Sequence, residues 1–320
     1  MKVGLIGIGG MGFNHFRHYV KMKDIEIAVA DVRVDMAKER IKNDSIPVYS
    51  SYLEMIEKEN PDFVDICTPS YMHADMAIAA LGLGNHVLCE KPMSINSRDA
   101  ERMIEAKEKS GKLLMVAHVV RFMAPYVYLK SVIESGELGE LQHLMMQRLS
   151  TTPKWSWENW MRDTEKSGGV AIDLSIHDID FVQYVLGAPD SVSATYYDFK
   201  NNSNFVSSTF TYGSAVVETV GAWYNAELPF HAEYLAVFEN GYVESRGGKV
   251  TRNGEEVELK VGEVSEDTGI NLSGADGYGD EIAYFIDCIK NGKEPERVLP
   301  ESSLKSVKLT EEILKVAKKV

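Results

Sequence analysis

Through the first 120 residues, short apolar runs alternate with helix-length amphipathic stretches. Residues 3–8 precede a helical 12–22, 25–30 precede 34–43, 63–68 precede 73–83, 87–90 precede 97–110, and 113–117 close the series. Strand-length runs that stay apolar throughout, each followed by a segment of 3.6-residue period, predict parallel strands covered by helices. Ser97, with Asp99 and Glu101 in the turn that follows, carries a helix-start signal.

Beyond Arg121 the pattern changes. A helix over 126–135 and a Gly136-Glu137-Leu138-Gly139 turn lead into strand-like runs at 141–151, 191–198, 205–212, 215–223 and 232–239, rich in Val, Thr, Tyr and Phe. Turn signals at Asn201-Asn202-Ser203, Tyr212-Gly213-Ser214 and Glu239-Asn240-Gly241 separate the later runs, and such close spacing predicts antiparallel pairing. Residues 168–186 read as one helix lying on that sheet. A terminal helix over 300–320, with Leu304, Val307, Ile313 and Leu314 at near-helical spacing, is expected to pack back. The fold class is α/β: a doubly wound N-terminal domain over 1–120, then an α+β domain over 121–320.

Length and composition narrow the function classes. At 320 residues the chain exceeds what one core fills, which agrees with two domains. No apolar run approaches the roughly 20 residues that span a bilayer, so an integral membrane protein is excluded. The first residues run straight into a strand without secretory features, and a cytoplasmic location is expected. A net charge of -14, with no basic cluster beyond Lys318-Lys319, argues against a nucleic-acid partner. Cys67, Cys89 and Cys288 share no CxxC spacing; the first two sit in apolar strands as small hydrophobes, and no structural disulfide is expected.

The chemistry starts at Gly7-Ile8-Gly9-Gly10-Met11-Gly12, a GxGxxG placed directly after a strand and opening a helix. The first glycine permits the tight turn, the second admits a pyrophosphate to the backbone, and the third lets the helix press on the strand. Asp31, 19 positions past Gly12 and ending the next strand, is placed to accept hydrogen bonds from an adenosine ribose. That favours NAD, with NADP as the alternative, because Arg33 could equally stack on adenine, grip a 2′-phosphate or stay a solvated charge. Thr68-Pro69 and Glu90-Lys91-Pro92 end the next two core strands, where open α/β sheets bind ligands. A Lys91 ammonium there would stabilise developing charge on a substrate oxygen, and Pro92 would fix its aim, the more so in a cis bond.

Gly168-Gly169 opens the second constellation, with Asp173 and His177 four positions apart on one helical face. His177 suits proton exchange near neutrality. Asp173 could orient the imidazole, grip a second hydroxyl, or do both; Asp178 and Asp180 point elsewhere. A metal reading of Asp173, His177 and Asp178 lacks a third ligand at recognised spacing, so no metal is expected. Residues 154–162 concentrate three of the four tryptophans; Trp160 and Arg162 either line a site or pack at a subunit contact. Arg121, after the last strand of the first domain, is a candidate to face the cofactor, and Tyr278 and His231 are lesser candidates for substrate.

With the fingerprint, Glu90-Lys91-Pro92 and Gly-Gly-x-x-x-Asp-x-x-x-His in this order, nearly the whole chain resembles the glucose-fructose oxidoreductase / inositol 2-dehydrogenase / rhizopine catabolism family (Gfo/Idh/MocA). Tyr278-x-x-Glu281 also looks like the family, whereas Val170 stands where the family often has a third glycine. The resemblance implies a Rossmann domain followed by a domain with a large, mostly antiparallel open sheet that mediates homodimers or homotetramers. It also implies reversible oxidation of a hydroxyl on a sugar, inositol or related polyol. Lys91, Asp173 and His177 would take the catalytic roles; Thr68, Pro69, His73, Glu90 and Lys91 would contact the nicotinamide half. A catalytically silent dinucleotide-sensing relative, or a reductase of a non-sugar substrate such as a diol, are the rival functions.

Overall fold

The computed structural model describes residues 1–199, 203–259 and 277–320, and its chain divides into two units. In the first, β1 (Lys2–Ile6), α1 (Gly10–Lys21), β2 (Glu26–Ala30), α2 (Val34–Ile41), β3 (Val48–Tyr49), α3 (Tyr52–Glu59), β4 (Phe63–Ile66), α4 (His73–Gly82), β5 (His86–Glu90), α5 (Ser97–Ser110) and β6 (Leu114–Ala117) follow one another. The six strands are parallel, in the order β3-β2-β1-β4-β5-β6. Val3, Leu5, Val29, Val64, Ile66 and Leu88 are wholly buried, as unbroken apolar runs between two helical layers require. The strand order reverses between β1 and β4, so their carboxyl ends open the crevice that doubly wound sheets offer to ligands. Asn96 rather than Ser97 caps α5, its side chain accepting the Asp99 N–H at 2.9 Å.

The first unit also takes Tyr278–Leu304, which the sequence pattern places in the second domain. The cause is apolar packing: α9 (Tyr278–Asn291) lies against α1, with the Phe285 ring 5.9 Å from that of Phe63 in β4.

The second unit contains α6 (Ala124–Ser135), β7 (Leu141–Thr151), α7 (Thr164–Ser167), α8 (Ile176–Leu186), β8 (Ser191–Phe199), β9 (Ser203–Tyr212), β10 (Ala215–Tyr224), β11 (His231–Phe238), β12 (Gly241–Arg246), β13 (Lys249–Arg252) and β14 (Glu255–Glu256). The chain re-enters it within α10 (Pro300–Val316) and ends on β15 (Lys318–Lys319). Its sheet runs β14-β13-β12-β11-β7-β10-β9-β8-β15. Most neighbours are antiparallel, but β7 with β10 and β8 with β15 are parallel. Close spacing misleads at β7 and β10 because two strands and the helical segment intervene, returning the chain in the original direction. The terminal helix stops at Val316 instead of reaching 320, and Lys318–Lys319 extends the sheet edge. Asn201 and Asn202 of one expected turn lie outside the described residues. The charged strands β12 to β14 carry no apolar run for sequence reading to find.

Alternation now sets two faces: Leu144, Met146 and Val217 are buried, while Met145 and Val216 on the other face are 44% and 37% exposed. Two buried ion pairs fasten α8. Arg148 of β7 reaches Asp178 (Nη2 to Oδ1, 2.7 Å) and donates to the Tyr126 hydroxyl at 3.0 Å. Arg121 grips both oxygens of Asp180 at 2.9 and 2.7 Å, and Ser306 donates to the same carboxylate. Burial opposes ionisation of Asp180, but Arg121, His118 and these hydrogen bonds outweigh it and hold the carboxyl below its ordinary value. Breaking one such pair strands the other charge. Asp178→Asn should therefore cost about 3–5 kcal/mol in urea unfolding; a loss below about 1 kcal/mol, typical of exposed pairs, would contradict this account.

Candidate active site

The cofactor half is built where β1 turns into α1. Gly7 sits at φ 86°, and a Cβ there would come 2.8 Å from the Cys67 carbonyl oxygen. A Cβ on Gly12 would lie 1.9 Å from the Gly7 carbonyl oxygen, so only hydrogen lets α1 approach its own strand so closely. Gly9 differs: a Cβ there would meet nothing within 4 Å. The first turn of α1 holds no acidic side chain, and no side chain caps it. Open space at Gly9, beside uncapped N–H groups at a positive helix end, fits a dinucleotide pyrophosphate.

Asp31 ties this turn to β2. Its Oδ2 accepts the Ile8 N–H at 3.0 Å and its Oδ1 the Arg33 N–H at 2.8 Å, which fixes a nearly buried carboxylate beside the glycine turn. Arg33 Nε lies 3.5 Å from the same Oδ1, so its guanidinium accompanies Asp31 instead of standing alone as a phosphate receiver. Arg40 of α2, unsuspected from sequence, donates to the Ile8 and Gly9 carbonyls at 3.1 and 2.9 Å and holds the loop from below. Gly10 and Met11 begin α1 at its partly exposed end.

Thr68-Pro69 follows β4, and Glu90-Lys91-Pro92 ends β5 with a cis Lys91–Pro92 bond. His73 joins these two loops: its Nδ1 is 2.8 Å from the Pro92 carbonyl and its Nε2 2.9 Å from that of Thr68. His73, a candidate to contact the cofactor, is buried as a strut between these loops, and its neutral ring donates from one nitrogen only. Burial pushes its pKa below 6.5 despite those two carbonyls. His86, whose Nδ1 accepts the Leu113 N–H at 2.9 Å, is also lowered, by burial and then by Lys112.

Behind Lys91 lies a network absent from the sequence reading. His15 of α1 sits between Asp65 (Nδ1 to Oδ2, 2.8 Å) and Glu90 (Nε2 to Oε1, 3.1 Å), and Tyr19 donates to Asp65 at 2.7 Å. Cys67, expected to be a plain small hydrophobe, hydrogen-bonds Asp65 at 3.5 Å. Burial alone would discharge His15. Cys67 is pushed so far up by its own burial that it stays a neutral thiol, so the Asp65 carboxylate is what raises His15 well above 6.5. His15, Asp65 and Cys67 also bring possible metal-donor atoms within 4.8 Å of one another. The 2.8 Å His15–Asp65 separation is that of a hydrogen-bonded pair, tighter than the edge of a tetrahedral zinc site. The available signal was Asp65 itself, a charge inside an otherwise apolar strand, which requires a buried partner.

In the second unit, Gly168 and Gly169 adopt left-handed conformations (φ 73° and 66°), and the segment 168–186 is not one helix. After α7 it makes a wide π-type turn over Ala171–Ser175 before α8 begins. Asp173 is buried in that turn and His177 half-buried in the first turn of α8. Four residues span slightly more than one α-helical turn and slightly less than one wide turn, so the pair stays on the same side. Gly221 of β10 makes room for the turn: a Cβ there would lie 1.8 Å from Ser175 Oγ. Asp178 and Asp180 do point elsewhere, into their arginine pairs.

Arg121, a candidate for the cofactor, is 2% exposed with its guanidinium committed to Asp180, which makes it a structural residue. Tyr278 belongs to the first unit, its ring 6.1 Å from that of His15, rather than to the substrate domain. Trp160 is half-buried, Arg162 is exposed with Nε donating to the Pro153 carbonyl, and Trp155 stands 60% exposed. His231 opens β11 with Nδ1 3.9 Å from Glu233.

The profile of the oxidoreductase family with an NAD-binding Rossmann fold (Gfo/Idh/MocA) matches residues 1–118, and that of the Gfo/Idh/MocA C-terminal domain matches 126–244. A myo-inositol 2-dehydrogenase of Thermotoga maritima is 28% identical over 321 aligned positions, covering 92% of this chain and 90% of the relative. A D-glucoside 3-dehydrogenase of Escherichia coli is 30% identical over 205, covering 62% and 58%. Among solved structures, an oxidoreductase from Agrobacterium radiobacter in complex with NAD+, L-tartaric acid and magnesium has a TM-score of 0.84 at 20% identity, over 99% of this chain and 96% of that one. The myo-inositol 2-dehydrogenase of Lactobacillus plantarum gives 0.81 at 20% identity, over 99% of this chain and 97% of that one. Among the described residues no helix is long and apolar enough to cross a membrane.

Two outcomes test the cofactor half. Gly9→Ala should leave unfolding in the absence of NAD within about 0.5–1 kcal/mol of wild type, the propensity scale of such a change, while NAD affinity falls at least about tenfold; Gly12→Ala should fail to give a folded domain by circular dichroism. Because His73 and His86 are neutral when folded but titrate near 6.5 when unfolded, the stability they contribute is full above that pH and lost as pH falls through their lowered folded values. Replacing His73 by Gln should make the fall in Tm below pH 6.5 shallower than in wild type; an identical slope would exclude His73 as a source.

Proposed function

The chain belongs to the Gfo/Idh/MocA oxidoreductase family, enzymes with an NAD-binding Rossmann domain, and we propose that it interconverts a hydroxyl and a carbonyl on a sugar, inositol or related polyol. NAD, held by the Gly9 turn and Asp31, would supply the acceptor or donor of the hydride. His177 takes the hydroxyl proton during oxidation and gives it back in reduction. Lys91, at the end of β5, donates to the substrate oxygen and stabilises its developing charge. Asp173, held in the wide turn, orients the imidazole or grips a neighbouring hydroxyl. Asp31 receives the adenosine ribose, and Gly9 admits the pyrophosphate. The exposed sheet face of the second unit is the surface on which a second copy would assemble.

The observation that carries this reading is the presence in one chain of the open Gly9 cradle and of Lys91, Asp173 and His177 at the family's motif positions. The printed activities of the relatives, on myo-inositol and on a D-glucoside, support the substrate class. Purified protein should reduce NAD, followed by absorbance, with at least one member of a panel of inositols, aldoses and glycosides. Lys91→Ala and His177→Ala should each lower kcat about 10²-fold or more, with NAD affinity unchanged. NAD binding without turnover on any sugar or polyol would overturn the substrate class, and unchanged kcat in both variants would overturn the assigned roles.

A further inference from the structure

We infer that His15 is a positioning residue for this reaction: a buried ring that, anchored by Asp65, fixes the Glu90 carboxylate and through it the peptide of Lys91. The inference rests on the dehydrogenase reading above. The side chains of His15 and Asp65 are 0% exposed and that of Glu90 is 7%. One ring nitrogen is committed in line to Asp65 at 2.8 Å. The other lies 3.1 Å from Glu90 Oε1, out of line for a hydrogen bond, and neither of these two atoms has a hydrogen-bond partner among the described residues. At that distance the contact between them is one of charge. Glu90 spends its second oxygen on the Lys91 N–H at 3.0 Å.

Two carboxylates share this interior with one ring between them. Stripping water from an ion costs several kcal/mol unless a counter-charge is present, and a proton on His15 supplies one between the two acids. The groups facing the ring are Asp65 and Cys67 from the end of β4, Glu90 from β5, Tyr278 from α9, and, through Asp65, Tyr19 of α1 itself. None supplies a second cation. As pH rises through the raised value of His15 the ring loses its proton, Glu90 loses its counter-charge, and the Lys91 peptide loses its anchor. Activity should then carry an alkaline limb set by a residue that never touches substrate.

Two amides separate the ring's two contacts. His15→Gln places a non-titrating donor near the Nε2 position, and His15→Asn places one near Nδ1. Neither amide carries the charge that faces Glu90, so we expect both variants to lose the alkaline limb and to hold kcat about tenfold or more below the wild-type plateau, at the level wild type reaches once His15 is deprotonated, with both KM values unchanged. A merely structural histidine predicts that Asn, which keeps the shorter Asp65 bond, retains wild-type kcat. That outcome, or unchanged pH profiles in both variants, overturns the inference. Should neither variant fold, Glu90→Gln keeps an oxygen for the Lys91 N–H but removes the charge; an alkaline limb unchanged in this variant also overturns it. A readout free of substrate is the ¹⁵N spectrum of the imidazole rings at pH 8. A doubly protonated His15, identified by the signal that these substitutions remove or shift, is expected, and a neutral one overturns the inference. A protonated His15 in a protein silent on every sugar and polyol would instead overturn the dehydrogenase reading alone.

Discussion

A hydrogen atom at Gly12 governs the first unit. With any side chain there, the Gly7 carbonyl oxygen would be struck at 1.9 Å and α1 would have to lift from β1. Because it does not lift, the third position beyond Gly12 falls over the ends of β4 and β5, and His15 drops between Asp65 and Glu90. The fingerprint is thus more than a phosphate cradle. The same close approach that presents uncapped N–H groups on one side of α1 delivers a buried cation to the strand ends on the other. The electrostatics beneath Lys91 follow from the packing of a helix whose visible purpose is elsewhere.

The second unit reaches a comparable result by different means. Gly221 removes a side chain from β10 so that Ser175 can press into the sheet, and the wide turn that carries Asp173 is fixed at that contact. Arg148 and Arg121 then lock the opposite side of α8 through Asp178 and Asp180. A buried arginine left without its acid is costly, so these two acids are spent on stability, and Asp173 and His177 stand outside the pairs. Four acidic or imidazole groups within eight residues divide by environment alone, although their residue types suit either task.

The sequence made the first sheet legible because its strands are apolar on both faces and its turns carry glycine for steric reasons that no other residue meets. The strand-end placements of Asp31 and Lys91 were legible because the pattern itself defines those positions. What escaped was long-range. Parallel pairing of β7 with β10 depends on the route between them, and Tyr278–Asn291 joins the first unit through aromatic contacts with residues over 200 positions away. Arg121 was a candidate to face the cofactor because it follows a strand end, yet its partner Asp180 lies 59 residues on. His15 and Asp65 were readable singly, as polar residues in apolar surroundings, but nothing local pairs them.

The proposed catalytic residues and the tryptophan segment also differ in how they are held. The loop of Lys91 is tied by the His73 ring and the Glu90 carboxylate, and the turn of Asp173 by the close approach at Gly221. The segment from Lys154 to Arg162 is held differently: Glu158 and Asn159 both adopt left-handed conformations, φ 51° and 54°, and Trp155 and Trp157 remain 60% and 37% exposed. Lys154, Trp155, Trp157, Glu158, Asn159 and Arg162 are exposed there, so these positions can change at little cost to packing, while Ser156 and Met161 stay buried. Under the proposed function, its aromatic rings are where one family could tell differing sugars or cyclitols apart while Lys91 and His177 stay the same.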